Sequence, residues 1–178
     1  RILFSAFTNN AQFQPWLEAL REAETPVAGV FSTALLAPQI AAKLGAKKAP
    51  LLLVTLQSAG LRQSYVENGK LRFSRLGPLD AADAADPSRV AEAFDRETTR
   101  VHQDLTAPRG GAREGGAIDA LLIAPAGQKA RVQAAVPNMP QVRVSVFELG
   151  EAAATIGLKG YPAESGAVGG PSLVAGRR

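Results

Sequence analysis

The sequence contains no cysteine and a single histidine, His102. Without thiols the chain can form neither disulfide bonds nor thiolate metal sites, and one imidazole is too few for a histidine-based metal cluster. No apolar run approaches the ~20 residues that a helix needs to cross a bilayer. The sequence therefore predicts no membrane span and no metal.

The net charge is also small, since 20 basic residues are nearly balanced by 16 acidic ones. Aromatic residues make up only 6% and do not alternate with a basic stripe, so we expect no nucleic-acid partner. An apolar content of 46% over 178 residues predicts an ordinary globular protein with a real core. The chain opens on Arg1 inside a strand-like run, which we interpret as the start of a piece of a longer protein.

The stretch 50–76 predicts the centre of the fold. Residues 51–56 are almost continuously apolar, as in a strand covered on both faces, whereas 61–67 and 70–76 alternate. The two alternating runs are joined by Asn68-Gly69, which favours a type I′ turn because both residues accept positive φ. We therefore predict an antiparallel meander with these facing pairs: Glu67 with Lys70, Val66 with Leu71, Tyr65 with Arg72, Ser64 with Phe73, and Arg62 with Arg75.

Residues 1–45 read as β-α-β-α. The predicted order is a strand at 1–7, a helix with Pro15 in its first turn, a strand at 27–31, and a helix that Ser32 caps and Gly45 ends. Pro38 predicts a late start or a kink in that second helix. Apolar residues at helical spacing place Trp16 in the core side of the first helix.

The part after the meander alternates helix and strand. Asp80 to Asp86 is read as a solvated linker, and Asp86-Pro87 starts the longest helix, which buries Val90, Phe94, Val101 and Leu105. There follow a Gly-rich loop at 108–116, a strand at 118–123, a helix at 128–136, a strand at 142–146, a helix at 148–156 and a flexible tail at 159–178. Right-handed crossovers make the last two strands parallel to the first. The predicted fold is α/β: a mixed five-stranded sheet with helices on both faces, in ribonuclease-H-like order.

This order of elements resembles the second half of the actin-like ATPase fold. Within that fold the chain is similar to the PilM and GspL types of cytoplasmic domain, from type IV pilus assembly and type II secretion. The resemblance is carried by Val27-Ala28-Gly29-Val30-Phe31-Ser32, by the strand 51–56, and by the hairpin ending Asn68-Gly69-Lys70-Leu71-Arg72-Phe73-Ser74-Arg75. It implies that 1–45 ends a first actin-like subdomain with its linking helix, and that 46–158 is the second, ribonuclease-H-like subdomain.

The chain departs from this family at both nucleotide loops that the resemblance locates. Thr55 and Gln57 stand where the family has the Asp and Gly of a phosphate motif, and Ser58 and Gly60 follow. A threonine cannot supply the carboxylate that holds the Mg²⁺-bound water, and a glutamine obstructs the close approach of phosphate. In the later adenosine loop, Pro125 removes an amide from the segment that carries a Gly-Gly pair in the family.

These departures predict a non-catalytic pseudo-ATPase without a cofactor, acting by protein-protein interaction as a scaffold in a pilus or secretion-type assembly. The resemblance implies other inner-membrane subunits as partners and a cytoplasmic location, with membrane attachment through parts of the chain outside this sequence. Self-association stays open. The alternative is an active ATPase or sugar-kinase-like enzyme that binds Mg-ATP through a first phosphate loop upstream of Arg1. An unrelated binding module on the same fold is a third interpretation.

Arg62 and Arg75 are candidate contacts for an anion or an acidic partner. Two arginines facing each other across a hairpin are unfavourable unless an anion or carboxylate lies between them. The plainer alternative is that an acid of the chain, such as Asp80, neutralises them or that they extend into water. A two-metal nuclease is excluded, because the first strand carries no acid and Asp119 is alone on the fourth.

Overall fold

The computed structural model describes residues 11, 13–29, 32–45, 50–57, 60–106 and 117–158. The contacts divide the chain into two compact units, Arg1–Ser32 and Thr33–Arg178. The helix that ends at residue 43 is therefore grouped with the sheet. The subdomain boundary expected after residue 45 stays a prediction. Within the described residues, no helix is long and apolar enough to cross a membrane.

In the described residues of the first unit, the chain forms helix α1, Gln14–Glu22. Pro15 lies in its first turn, as predicted, where its missing N–H leaves no helical bond unmade. The apolar side of α1 is exposed, and Trp16 is 73% exposed, so its predicted core position is wrong. Residues 27–29 have no regular structure, which contradicts the described part of the strand expected at 27–31; the strand expected at 1–7 lies outside the described residues.

The second unit is built on a five-stranded mixed sheet, as predicted. Its strands are β1 Leu51–Gln57, β2 Gly60–Glu67, β3 Lys70–Gly77, β4 Ile118–Ala124 and β5 Val142–Glu148. They lie in the order β3-β2-β1-β4-β5. The β1–β2 and β2–β3 pairs are antiparallel, whereas β1–β4 and β4–β5 are parallel.

Helices cover both faces of this sheet. They are α2 Ala37–Lys43, α3 Ala81–Ala85, α4 Pro87–Thr106, α5 Lys129–Ala135 and α6 Leu149–Ile156. On one face, α4 and α5 pack on Leu52 and Val54 of β1; on the other, α2 and α6 pack on Leu51 and Leu53. Because successive residues of a strand point to opposite faces, a strand covered on both sides needs a continuous apolar run, which is what β1 shows.

The helix starts follow local rules. The side chain of Asp86 accepts a hydrogen bond from the amide of Ser88 at 2.9 Å, so Asp86 caps α4 as expected. A 3₁₀ turn, Thr33–Leu36, precedes α2, which explains the late start predicted from Pro38. The solvated linker predicted at 80–86 is wrong: Asp80 caps α3 through the amide of Asp83 at 2.8 Å, and Ala84 of α3 is buried.

The register of the β2–β3 hairpin is correct at the turn and wrong beyond it. Glu67 faces Lys70 and Val66 faces Leu71, but a bulge then shifts every following pair by one residue. Arg72 is the extra residue in the bulge, and its guanidinium forms an ion pair with the carboxylate of Glu67 at 2.6 Å. The pairs observed beyond it are Tyr65 with Phe73, Ser64 with Ser74, Gln63 with Arg75 and Arg62 with Leu76.

The predicted pairs Tyr65–Arg72, Ser64–Phe73 and Arg62–Arg75 are therefore wrong. The physical reason is packing. A regular ladder would place Phe73 opposite Ser64, on the other face of the sheet, because one residue of slip reverses the side of every side chain. The bulge instead brings Phe73 to the face of Tyr65, where it packs against the larger core cluster.

Candidate functional site

The site located by the resemblance lies at the carboxyl end of β1. Thr55 pairs with Arg62 of β2 and with Ile123 of β4, so the parallel strands β1 and β4 end side by side. In open α/β sheets, ligands bind at such an edge. The polar groups that this chain places there decide what the edge can hold.

The side chain of Gln57 is held by its own neighbours. Its oxygen accepts a hydrogen bond from Arg62 Nε at 2.9 Å, and its amide nitrogen lies 3.4 Å from the hydroxyl of Thr33. Gln57 thus joins β2 to the 3₁₀ turn across the end of β1. Thr55 is half-buried and offers a hydroxyl but no negative charge. Ser58 lies outside the described residues.

The backbone conformation and packing of Gly60 require a glycine at this position, independently of any ligand. Its φ is +131°, and a Cβ placed there would lie 2.2 Å from the carbonyl oxygen of Gly77. Only glycine combines that backbone angle with such a close approach of a neighbouring strand. The residue therefore serves the junction of β2 and β3.

The loop after β4 carries the second group of interest. Gly127, with φ +71°, donates its amide to the carboxylate of Glu148 at 2.6 Å. Glu148 also opens α6 as one half of a capping box, in which the carboxylate of Glu151 accepts the amide of Glu148 at 3.2 Å. Glu148 pairs with Ala124, so this carboxylate lies at the same carboxyl edge, two strands from β1.

Lys129 completes this acidic corner. Its ammonium lies 2.8 Å from the carboxylate of Glu151. The hydrogen bond from Lys129, followed by the one from the backbone of Glu148, holds the pKa of Glu151 below its ordinary value. Two carboxylates and one ammonium leave the corner with one negative charge in excess, and an anionic ligand would be repelled there.

The two arginines singled out from the sequence do not form one site. Since Arg62 pairs with Leu76 and Arg75 pairs with Gln63, their side chains point to opposite faces of the sheet. Arg62 donates to Gln57 and, at 3.3 Å, to the hydroxyl of Ser74. The anion expected between facing arginines has no such place to bind.

Arg75 is held by acids of α4. It donates to the side-chain oxygen of Gln63 at 2.8 Å, to the carboxylate of Glu97 at 3.1 Å and to that of Asp104 at 3.2 Å. Asp80, the acid first considered, caps α3 instead. Asp119 pairs with Arg143 at 2.7 Å, and this contact raises the pKa of that arginine. In the part of the chain that the structure describes, no group of three or more His, Asp or Glu side chains could hold a metal ion.

Sequence reasoning missed Glu97. The residue is buried on α4, between the core residues Phe94 and Val101. A signal was available, because positions 90, 94, 97 and 101 follow one apolar stripe at helical spacing, and an acid in such a stripe must find a partner. The pattern does not identify the partner, which is Arg75 of β3.

No family model matches the sequence, and no curated protein is similar to it. Among solved structures, the chain is similar to one described as a PilM-PilN type IV pilus biogenesis complex, with 16% sequence identity and a TM-score of 0.46. The similarity covers 78% of this chain and 48% of that one, so this chain spans about half the length of its structural neighbour.

Proposed function

We propose that this chain is a non-catalytic, actin-like domain with the ribonuclease-H-like order of strands, and that it acts as a scaffold in a membrane-associated pilus or secretion-type assembly. Its partners are other protein subunits. The fold part of this proposal is supported by a sheet in which an antiparallel meander is followed by two parallel strands. The assembly part is supported by the resemblance of the strand 51–56 and of the hairpin ending at Arg75 to the sequences of that family.

The observation that carries the pseudo-ATPase proposal is that the expected nucleotide loops are bonded internally. An actin-like ATPase offers a carboxylate and free amides to Mg²⁺ and phosphate. Here Gln57 is tied to Arg62, and the amide of Gly127 is bonded to the carboxylate of Glu148 at 2.6 Å. Both contacts are short hydrogen bonds with one charged partner, the stronger kind of hydrogen bond.

A nucleotide that used the amide of Gly127 in this adenosine loop would have to displace Glu148, and any phosphate near it would still face that charge. Two like charges about 4 Å apart repel by about 1 kcal/mol in water and about 4 kcal/mol near a protein surface. Mg²⁺ is bound through carboxylates and phosphate oxygens, and Thr55 supplies neither. We therefore expect Mg-ATP to bind no more tightly than about millimolar, which corresponds to roughly −4 kcal/mol.

Calorimetric titration of the protein with Mg-ATP at moderate salt tests this proposal. The wild type should show no binding below the millimolar range. A variant with Thr55→Asp and Glu148→Ala restores the carboxylate at β1 and removes the acceptor of the Gly127 amide, so it should bind more tightly. Glu92→Ala is the matched control, because it removes one exposed carboxylate from α4, a helix that carries neither loop. Micromolar binding by the wild type would overturn the proposal and favour the active ATPase or sugar-kinase-like enzyme.

A further inference from the structure

The buried carboxylate of Glu97 gathers three arginines at one place on the surface. Arg75 reaches its Oε2 at 3.1 Å, while Arg100 and Arg96 reach its Oε1 at 3.2 Å and 3.5 Å. The Glu97 side chain is 4% exposed, whereas those of Arg96 and Arg100 are 50% and 59% exposed. The charges therefore run from a negative centre inside the protein to positive groups at its surface.

Glu97 fits this place because β3 leaves room for it. A Cβ on Gly77 would lie only 3.0 Å from Cγ and Cδ of Glu97, so the acid packs directly against the backbone of β3. Burying a carboxylate is costly unless it is paired and hydrogen-bonded. Arg75 of β3 supplies part of this pairing. Its Nη2 donates to the Glu97 carboxylate and also to the Glu97 carbonyl oxygen, each at 3.1 Å.

The number of arginines leaves positive charge at the surface. Three guanidinium groups face two carboxylates, those of Glu97 and Asp104, so one positive charge is in excess. Arg96 and Arg100 are four residues apart on α4, a spacing at which like charges repel on a helix. Each guanidinium has five N–H donors, and the half-exposed Arg96 and Arg100 each place one of them on Glu97. Glu97 thus orients donors that a second acid can use.

We propose that the Glu97 arginine cluster, defined as Arg75, Arg96 and Arg100, is a docking surface for an acidic segment of a partner protein. The inference rests on the proposed scaffold function for the statement that the partner is a protein subunit. The occupant is set by charge complementarity. Two forked guanidiniums one helical turn apart match two carboxylates of a polypeptide, each of which can accept a bidentate pair of hydrogen bonds.

The surrounding charges argue against a nucleic acid or a lipid surface. Glu92, Asp95 and Asp104 lie on α4 together with the arginines, so acidic and basic residues are mixed along the helix. A duplex or an anionic membrane is attracted by a continuous basic field. A short acidic segment can instead contact Arg96 and Arg100 while avoiding Asp104, and Asp104 then helps to set its register.

Fluorescence anisotropy with a labelled poly-glutamate peptide, at low and at moderate salt, tests the proposal. Each exposed arginine contact contributes up to about fivefold in affinity, so Arg96→Gln with Arg100→Gln should weaken binding by about tenfold and by no more than about 25-fold. The control for each single substitution is Arg89→Gln, which removes one arginine charge from the same helix but outside the cluster, where Arg89 pairs with Glu92 at 3.0 Å. That control should bind the peptide as the wild type does.

Several results would overturn the docking surface. These are no peptide binding by the wild type at low salt, equal weakening in Arg89→Gln, or displacement of the peptide by inorganic phosphate, duplex DNA or phosphatidylglycerol vesicles at comparable concentrations. The Mg-ATP titration is independent of this measurement. A failure of peptide binding would therefore overturn the docking-surface proposal alone, whereas micromolar Mg-ATP binding would overturn the proposed non-catalytic scaffold function.

Glu97→Gln separates positioning from simple attraction. The substitution removes a negative charge, so attraction alone would tighten the binding of poly-glutamate. If Glu97 positions Arg96 and Arg100, binding should weaken about threefold or more even though the surface has become more positive. Tighter binding by a folded Glu97→Gln protein would overturn this positioning role. The Arg96→Gln, Arg100→Gln variant keeps the docking surface testable if Glu97→Gln does not fold.

Discussion

The ring of Tyr65 lies against the ring of Phe73, with centroids 5.5 Å apart and planes inclined by 22°. This stacked pair requires the bulge at Arg72, since a regular hairpin would place Phe73 on the other face of the sheet. The bulge also moves Arg75 to the face covered by α4, where Glu97 binds it. A local irregularity in one strand thereby decides the partners of both arginines that the sequence had singled out.

Phe73→Ala should lower the free energy of unfolding by about 2–3 kcal/mol. Replacing a fully buried phenylalanine by alanine costs about 3–5 kcal/mol of unfolding free energy. Phe73 is only half-buried, which lowers this cost, but its stacking on Tyr65 adds to it. Urea denaturation measures the change. Leu76→Ala on the same strand is the control, and it should cost less than about 1 kcal/mol because Leu76 is exposed. Equal losses in the two variants would show that the stacked pair is not a core contact.

Gly60→Ala should destabilise the protein more than Gly69→Ala does. A Cβ at Gly60 meets the carbonyl oxygen of Gly77 at 2.2 Å, whereas nothing lies within 4 Å of one at Gly69. Gly69, with φ +69°, lies in the left-handed region, which costs another residue about 1 kcal/mol, whereas Gly60, with φ +131°, lies outside that region and alone meets the collision. Thermal unfolding followed by circular dichroism compares them. If Gly60→Ala is as stable as Gly69→Ala, the packing explanation for Gly60 is wrong.

Arg75→Gln should destabilise the protein more than Arg96→Gln or Arg100→Gln. Arg75 approaches the buried Glu97 carboxylate from the strand side and also bonds its carbonyl oxygen, so its loss leaves a buried charge partly unpaired. Breaking a buried pair costs about 3–5 kcal/mol, whereas losing one exposed ion pair costs about 0–1 kcal/mol. We expect about 2 kcal/mol for Arg75→Gln, because Arg96 and Arg100 remain. Similar urea midpoints for all three variants would contradict this order.

The capping box at α6 should make stability depend on acid pH. The pKa of Glu151 in the folded protein lies below its ordinary value of 4.5, because Lys129 and the amide of Glu148 bond its ionised form. A depressed pKa contributes stability above the pKa of the unfolded state, and that contribution is lost as the pH falls through the folded value. The wild type should therefore lose stability more steeply below about pH 4.5 than Glu151→Gln does.

Melting temperatures between about pH 6 and pH 3 measure this difference. Lys129→Met, which removes the largest cause of the shift, is the matched variant and should have a slope between those of the wild type and Glu151→Gln. Parallel curves for all three proteins would mean that the capping box does not contribute to the acid dependence.

The sequence by itself determined where the main elements of the second unit lie. Continuous apolar character marked β1, Asn68-Gly69 placed the hairpin turn, and Asp86-Pro87 placed the start of α4. These features depend on residue period, on positive φ and on the geometry of proline, which act over a few neighbouring residues. The parallel placement of β4 and β5 followed as well, because crossover helices restrict the topology.

Only the tertiary structure decided which groups meet at the candidate site. Glu97 binds Arg75 from 22 residues away, and Glu148 binds the amide of Gly127 from 21 residues away. No local pattern specifies such partners, because they depend on how separate elements pack and on a bulge that shifts the register by one residue. The pattern of the chain therefore determined the sheet, whereas the burial of Glu97 and the occupied amide of Gly127 arise from long-range packing.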